Sequence, residues 1–379
     1  MNGKARWVVL IAGGVVALVI GWSIGGANAQ SDASGMTKTA EQQFKNIQVL
    51  KGVPADQIFP TMQFVSVSLG VECEFCHVEG AFDKDDKDKK KKARDMMRMM
   101  ITINQENFDG HRVVTCYSCH RGNNQPVGTP IIGDLEPKEA PGEVRKGGVV
   151  RAKVPPAEQI LDSYVKALGG AEAVDKIASR TQKGKIQFAG GEFPIDAFTK
   201  DGDKRISLMH MPEGDSITAY NGKEGWLTAP GRPGLREMRG SELDGAAMDA
   251  DLHFATHLKQ MFSETHAEPG EKIAERDTYL VIGKRENNTP VKLYFDQQSG
   301  LLLRLVRFGE TALGWLPTQI DYSDYRRADG IQVPFRWTLA RANGRFTVQV
   351  REMQQNVPVD DAKFVKPPPP PDNGKSPAH

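Results

Sequence analysis

The chain has 379 residues, and 49 Lys+Arg against 48 Asp+Glu leave a formal charge of +1. That balance argues against a charge-driven nucleic-acid partner, while the length suffices for two domains with cores of their own. Only four cysteines occur, Cys73, Cys76, Cys116 and Cys119, and all belong to two short motifs, so none is left for a structural disulfide elsewhere.

At the N-terminus, Lys4 and Arg6 precede an uncharged apolar run from Trp7 to Ile24, followed by Ala27-Asn28-Ala29. This pattern predicts an export signal over 1–29, cut after Ala29. The run also approaches the ~17–25 residues that span a bilayer, so an uncleaved anchor is the alternative, and membrane association is expected only in that case. No cysteine stands near the cleavage point, which removes a lipoprotein anchor. The folded part is expected in the periplasm. Residues 30–41 are small and polar and are expected to be disordered.

Residues 42–123 read as a small all-α domain. Two short helices lead to the first motif, with Pro60 suited to a first helical position and Gly70 to the residue just past a helix end. Met62, Val65 and Leu69 share one face of that helix. The motif C-E-F-C-H follows at 73–77. A mixed Lys/Asp run, 83–92, is expected to be a solvated loop rather than a docking patch. It leads into a second helix whose apolar stripe includes Met96, Met99, Met100 and Ile103, and then C-Y-S-C-H at 116–120. Methionine-bearing helix, short connection and C-x-x-C-H thus occur twice, as a duplicated unit.

Residues 124–156 are Pro- and Gly-rich and read as a linker. A helix follows, "AEQILDSYVKALGGAEAVDKI", broken at Gly169-Gly170. From about Thr181 the pattern changes to short strands, with hairpin signals at Asp201-Gly202-Asp203, Asn221-Gly222 and Asp329-Gly330. A helical patch over 242–263 interrupts them. The expectation over 157–366 is one antiparallel, strongly curved sheet with helices on one side. The end, 367–379, is a polyproline II tail.

In C-x-x-C-H, two thiols spaced by two residues add to the vinyl groups of one haem, and the following His ligates the iron. A C-x-x-C redox pair is the competing reading, but nothing thioredoxin-like surrounds either copy. A zinc site built from four cysteines would leave both histidines without a purpose. The pattern therefore predicts two covalently attached c-type haems, on Cys73/Cys76 with His77 and on Cys116/Cys119 with His120. For the sixth ligand, His111 stands too close to the second motif and reads as an exposed loop residue. Methionine fits better: Met62 lies 11 positions before Cys73, although methionines at helical spacing also serve as core filler. His/Met ligation raises the reduction potential and closes the iron to exogenous ligands, which favours electron transfer. Arg121 is a candidate partner for a haem propionate.

The stretches "MQFVSVSLGVECEFCHV" and "ARDMMRMMITIN…VTCYSCHRG" resemble the cytochrome c subunit of photosynthetic reaction centres over about 42–123. The resemblance implies Met62 as sixth ligand of the first haem and Met99, five positions before Asn104, as that of the second, with Met96 as runner-up. That family carries four haems and this chain two motifs, so it looks like a short diheme relative, and docking to a reaction centre does not carry over. The phrases "ILDSYVKALGGAEAV", "YNGKEGW", "LYFDQQSGLLLRL" and "DYRRADGIQVPFRWTL" resemble outer-membrane lipoprotein-carrier-like β domains. That implies a half-open barrel whose concave face holds an acyl chain or a partner peptide. His253 and His257 stand i, i+4 with no evident third ligand, and no catalytic constellation stands out.

The fold class expected is therefore multidomain: a small all-α diheme cytochrome c domain, then an antiparallel curved sheet or half-open barrel with helices (α+β). The function expected is single-electron transfer between a periplasmic redox donor and acceptor, without enzymatic activity, beside a domain that binds a lipid or lipoprotein or docks a partner. Two alternatives stand: a carrier-like protein whose haems are accessory or sensory, and a diheme peroxidase, which requires an open iron.

Overall fold

The computed structural model describes residues 38–128, 154–285, 289–342 and 344–368. The expected export signal, most of the segment 30–41, most of the linker and most of the Pro-rich tail lie outside these residues. Among the described residues, no helix is long and apolar enough to cross a membrane.

The helical part begins with a single turn, α1 (Ala40–Gln43), capped by Thr39, whose backbone N–H donates to Gln42 Oε1 at 2.9 Å. Helix α2 (Ile58–Leu69) follows a 3-10 turn over Ala55–Gln57. Pro60 is therefore the third helical residue rather than the first. It still lies in the first turn, where a missing N–H breaks no intrahelical bond. Gly70 ends the helix in the left-handed region, φ 64°.

Helix α3 (Asp88–Asn107) starts inside the Lys/Asp run. This corrects the expectation of a solvated loop, because Lys90 is only 8 % exposed and Arg94 is buried one turn later. The second motif is itself a helix, α4 (Cys116–His120), whose cap Thr115 donates its N–H to Ser118 Oγ at 3.0 Å. The first motif instead opens as a 3-10 turn over Cys73–Phe75.

After residue 154 come α5 (Ala157–Leu168) and α6 (Ala171–Asp175), separated by Gly169 and Gly170 at φ 130° and 95°. Then follow strands β1 (Ser179–Phe188), β2 (Gly191–Lys200), β3 (Lys204–Met211), β4 (Gly214–Asn221), β5 (Gly225–Ala229) and β6 (Arg232–Glu237). The expected helical patch is two helices, α7 (Gly240–Ala250) and α8 (Phe254–Met261). The chain closes with β7 (Glu264–Pro269), β8 (Thr278–Lys284), β9 (Pro290–Asp296), β10 (Leu302–Thr311), β11 (Gly314–Ala328), β12 (Ile331–Arg341) and β13 (Gly344–Gln355).

The thirteen strands of the described residues form one antiparallel sheet in the order β6-β5-β4-β3-β2-β1-β13-β12-β11-β10-β9-β8-β7. Each sequence-local pair is a hairpin or meander step; the pairing of β1 with β13 alone joins the two halves, putting Arg180 opposite Gln355. The sheet is curved and unclosed. Its hairpin turns fall where the Gly pairs predicted: Asp329 and Gly330 both take positive φ, as a primed two-residue turn requires, and Asn221 Oδ1 accepts from Lys223 N and Glu224 N.

Strand alternation gives the sheet one apolar inner face. Ile331, Val333 and Phe335 of β12 and Val348 and Val350 of β13 point there with period two. Helices α5, α6 and α8 cover that face with Ile160, Leu161, Tyr164, Val174 and Leu258, forming the main core. A second core unites the two halves of the molecule: Leu50, Phe64, Met97 and Met100 of the helical part surround Leu313, from the turn between β10 and β11. Leu313 is 1 % exposed.

Candidate haem-binding sites

Each motif histidine is tied down by one ring nitrogen. His77 Nδ1 lies 3.1 Å from the Phe82 carbonyl and His120 Nδ1 2.9 Å from the Asn123 carbonyl. Either bond requires the N–H on Nδ1, which fixes the tautomer and leaves Nε2 with its lone pair free, the arrangement that presents imidazole to a metal. Burial pushes the His77 pKa below its ordinary value; the cations Lys90, Arg94 and Lys87 act in the same direction, against the Phe82 hydrogen bond. His77 is thus neutral at neutral pH, as a ligand must be.

All four cysteines are free thiols. Burial pushes the Cys76 thiol up despite nearby Lys87 and Lys89, and burial does the same for Cys116. These are not thiolates of the activated type used in redox or nucleophilic chemistry.

Charged groups that read as solvated in the sequence build the frame of the first motif. Lys90 Nζ donates to the carbonyls of Phe82 (2.8 Å) and Lys84 (2.7 Å) and pairs with Asp85 at 3.1 Å. Arg94 binds the other Asp85 oxygen at 2.9 Å and reaches the Asn46 carbonyl. These cations, Arg94 first, together with Asn46, hold the Asp85 carboxyl far below the usual range. The Phe82 carbonyl that orients His77 is therefore itself held by Lys90. Lys87 Nζ donates to the Glu74 carbonyl, between the two cysteines.

The second motif is held by Asn104, 4 % exposed in α3. Its Oδ1 accepts from Val113 N (3.1 Å) and Val114 N (2.9 Å), and its Nδ2 donates to the Val114 carbonyl at 2.7 Å. Gly122, just beyond α4, donates its N–H to the Ser68 carbonyl of α2 at 2.9 Å. Contact there is so close that a Cβ on Gly70 would sit 2.1 Å from the Gly122 oxygen. Gly70 is glycine for two reasons, its φ and this approach.

Met62 is half-buried in α2, against the core that also touches Cys116. In α3, Met97 and Met100 are buried in that core, Met96 is half-buried and Met99 is 48 % exposed. Met96 and Met99 thus point away from the core contacts that occupy Met97 and Met100. His111 is an exposed loop residue and Arg121, in the left-handed region at the end of α4, is exposed as well. Sequence reasoning named the cysteines, histidines and methionines but missed Lys90, Arg94, Asp85 and Asn104, the groups that hold the motifs in place.

The donor set fits a covalently attached haem at each motif. Each offers two free thiols and an imidazole whose Nδ1 is engaged and whose Nε2 is available, and the core that holds Met62, Met97 and Met100 touches Cys116 of the second motif.

In the sheet, His253 and His257 do have an acidic neighbour. Asp251 Oδ2 lies 2.9 Å from His257 Nδ1, and its Oδ1 accepts the His253 backbone N–H at 2.8 Å. His253 Nε2 meets the Ile177 carbonyl at 3.0 Å. Both rings therefore have protein partners, and the cluster fastens the start of α8 to the Asp251 turn. Beside α5 and α8, the concave face carries a half-open cavity of about 230 Å³.

The profile of the photosynthetic reaction centre cytochrome C subunit family matches residues 26–149. Cytochrome c-554 of Chloroflexus aurantiacus is 40 % identical over 104 residues, which is 24 % of this chain and 24 % of that protein. The photosynthetic reaction center cytochrome c subunit of Thermochromatium tepidum is 36 % identical over 92 residues, 23 % of this chain and 22 % of that one. The chain thus spans about a quarter of the length of the curated relatives it matches. Among solved structures, a DUF1329 family protein from Desulfovibrio piger aligns over 55 % of this chain and 97 % of its own, at 14 % identity and TM-score 0.40. A LolA superfamily protein from Nitrosomonas europaea aligns over 56 % and 98 %, at 13 % identity and TM-score 0.37. Over residues 26–149, the stretch that contains both C-x-x-C-H motifs, the chain is similar to the reaction-centre cytochrome c family, whose members carry covalently bound c-type haem.

Proposed function

We propose that this protein is an exported c-type cytochrome carrying two haems, which passes single electrons between periplasmic redox partners. The observation that carries the reading is the shared state of the two motif histidines: Nδ1 fastened to a backbone carbonyl, Nε2 free, two free thiols alongside. A haem attached at such a motif supplies one-electron redox chemistry. The chain's own part is to hold the imidazoles in one tautomer, through Lys90 and the Phe82 carbonyl at the first motif and through the Asn123 carbonyl at the second, where Asn104 fixes the approach of residues 113–114. Met62 at the first motif and Met99 at the second, with Met96 next in order, would hold the iron together with the motif histidines. That ligand set disfavours oxygen or peroxide chemistry and so separates this reading from a peroxidase.

The concave side of the sheet is assigned to an apolar ligand, supported by its half-open cavity. The same cavity is what favours the second reading, a carrier-like protein whose haems are accessory. A pyridine haemochrome assay with redox titration on the full chain, expressed with export to the periplasm, tests the cytochrome reading. Two covalent haems per chain are expected; fewer than two overturns it. Loss of haem with full retention of the cellular phenotype moves the weight to the carrier reading.

A further inference from the structure

A row of polar side chains crosses the inner face of the sheet. Strand register sets Gln355 of β13 opposite Arg180 of β1, Arg180 opposite Thr199 of β2, Thr199 opposite Arg205 of β3, and Arg205 opposite Tyr220 of β4. Arg180 and Arg205 thus flank one threonine, two strand spacings apart, or roughly 9–10 Å at the backbone. Both side chains line the cavity, among Leu252, Leu302, Leu305 and Trp337.

Neither guanidinium makes an ion pair within contact distance among the described residues; the carboxylate of Asp249 acts on Arg205 only through space. Arg180 reaches only the Gln355 amide oxygen at 3.2 Å, and its Nε is buried with no partner. Arg205 reaches only the Thr199 hydroxyl at 2.9 Å. The carboxylates on the same wall are already engaged: Asp249 holds Arg307 in a two-point bond, 2.7 and 3.0 Å, and Asp251 holds His257. Burial, then the neighbouring Arg205, brings the Arg180 pKa down to about 10, and burial lowers that of Arg205. Two half-buried like charges whose direct hydrogen bonds go to neutral groups, with Asp249 offsetting one of them from a distance, are costly for the fold to maintain. The cost is offset if an anion enters between them, since guanidinium forks bind carboxylate or phosphate in charge-assisted bonds.

We infer that the cavity takes a single-chain amphiphile with an anionic head, the head lying between Arg180 and Arg205 and the acyl chain lying along the leucine-lined wall. The volume, about 230 Å³, falls below the ~300–1,000 Å³ of ordinary ligand pockets, which favours one chain over two. Gln332 Oε1, a buried acceptor without a partner on the same wall, is served by a water or by a hydroxyl of the head. The inference rests on the apolar-ligand reading of the sheet and adds the charge that selects the ligand.

The test is a competition assay on the full haem-loaded chain, in which palmitate, methyl palmitate and palmitoyl-lysophosphatidylglycerol displace a fluorescent fatty acid. The expected result is that at least one anionic amphiphile binds tenfold or more tightly than the neutral ester, a difference of about 1.4 kcal/mol. Whichever anion binds tighter identifies carboxylate or phosphate as the head. Arg205→Met and Arg180→Gln are each expected to abolish that preference while leaving methyl palmitate binding within about twofold. Equal binding of acid and ester by the wild type overturns the anionic head but leaves the apolar site standing. An unchanged preference in both variants overturns it too. Failure of all three probes to bind overturns both.

Discussion

Asn104 offers the sharpest test of how the second motif is positioned. In Asn104→Leu the side chain keeps its approximate size but loses all three bonds to Val113 and Val114. Val113 is 58 % exposed, so water replaces its lost partner at little cost. The Val114 N–H and carbonyl are half-buried; leaving a buried polar group unpaired costs about 1–3 kcal/mol each. Burial of the leucine returns about 1–2 kcal/mol. The midpoint of these ranges is a net loss of about 2–3 kcal/mol, read in urea unfolding followed by far-UV circular dichroism. Because residues 113–115 lead directly into α4, the second haem should also attach less completely, with the stoichiometry falling from two towards one. A variant within about 1 kcal/mol of wild type that retains two haems would refute the clamp.

Met62→His should lower the potential of one haem and leave the other unchanged, since bis-His iron has the lower potential; Met99→His should do the same to the other haem, and if Met96→His does so instead, the ligand assignment moves one turn. Redox titration reads both. Leu313→Ala removes a fully buried side chain from the core shared by α2, α3 and the β10–β11 turn and should cost about 2–5 kcal/mol. Chemical denaturation reads it, and a cost below about 1 kcal/mol would show that the turn is not part of that core. Asp85 has its carboxyl pKa depressed by Arg94, Asn46 and Lys90. A depressed carboxylate contributes stability that is complete above the unfolded pKa of about 3.9 and is lost as the pH falls below it. Asp85→Asn should therefore be less stable at pH 7 and lose less on acidification than the wild type, as measured by unfolding at several pH values.

Much of this arrangement is legible in the sequence, and the parts that are not share a cause. Gly70, Asn221-Gly222 and Asp329-Gly330 announce their turns because positive φ is a local demand that few residues meet. The C-x-x-C-H motifs are equally local. By contrast, Lys90 and Arg94 read as solvent-facing charges, and only the folded positions of Phe82, Lys84 and Asp85 give them partners. Asn104 looks like an ordinary helix polar residue until residues 113–114 return to it. Asp251 stands two positions before His253, so the acidic neighbour of that pair was available to inspection and was passed over. The row from Gln355 to Tyr220 depends on the register of five strands, including the pairing of β1 with β13, which no local pattern specifies.

The β10–β11 turn sets a condition on the order in which the protein can be completed. Its Ala312 N–H meets Thr61 Oγ1 across 251 positions of sequence, and the Thr311 carbonyl receives Arg112 across 199. During synthesis the cysteines and histidines of both motifs emerge long before Leu313 exists to fill the space beside Phe64. Until then, the segment that carries the motifs lacks one wall of its own interior and stays open to its surroundings. The core beside Cys116 is thus completed only by the arrival of the distant turn, which acts as the last stone set in an arch, while Cys73 and Cys119 stay exposed after it is set.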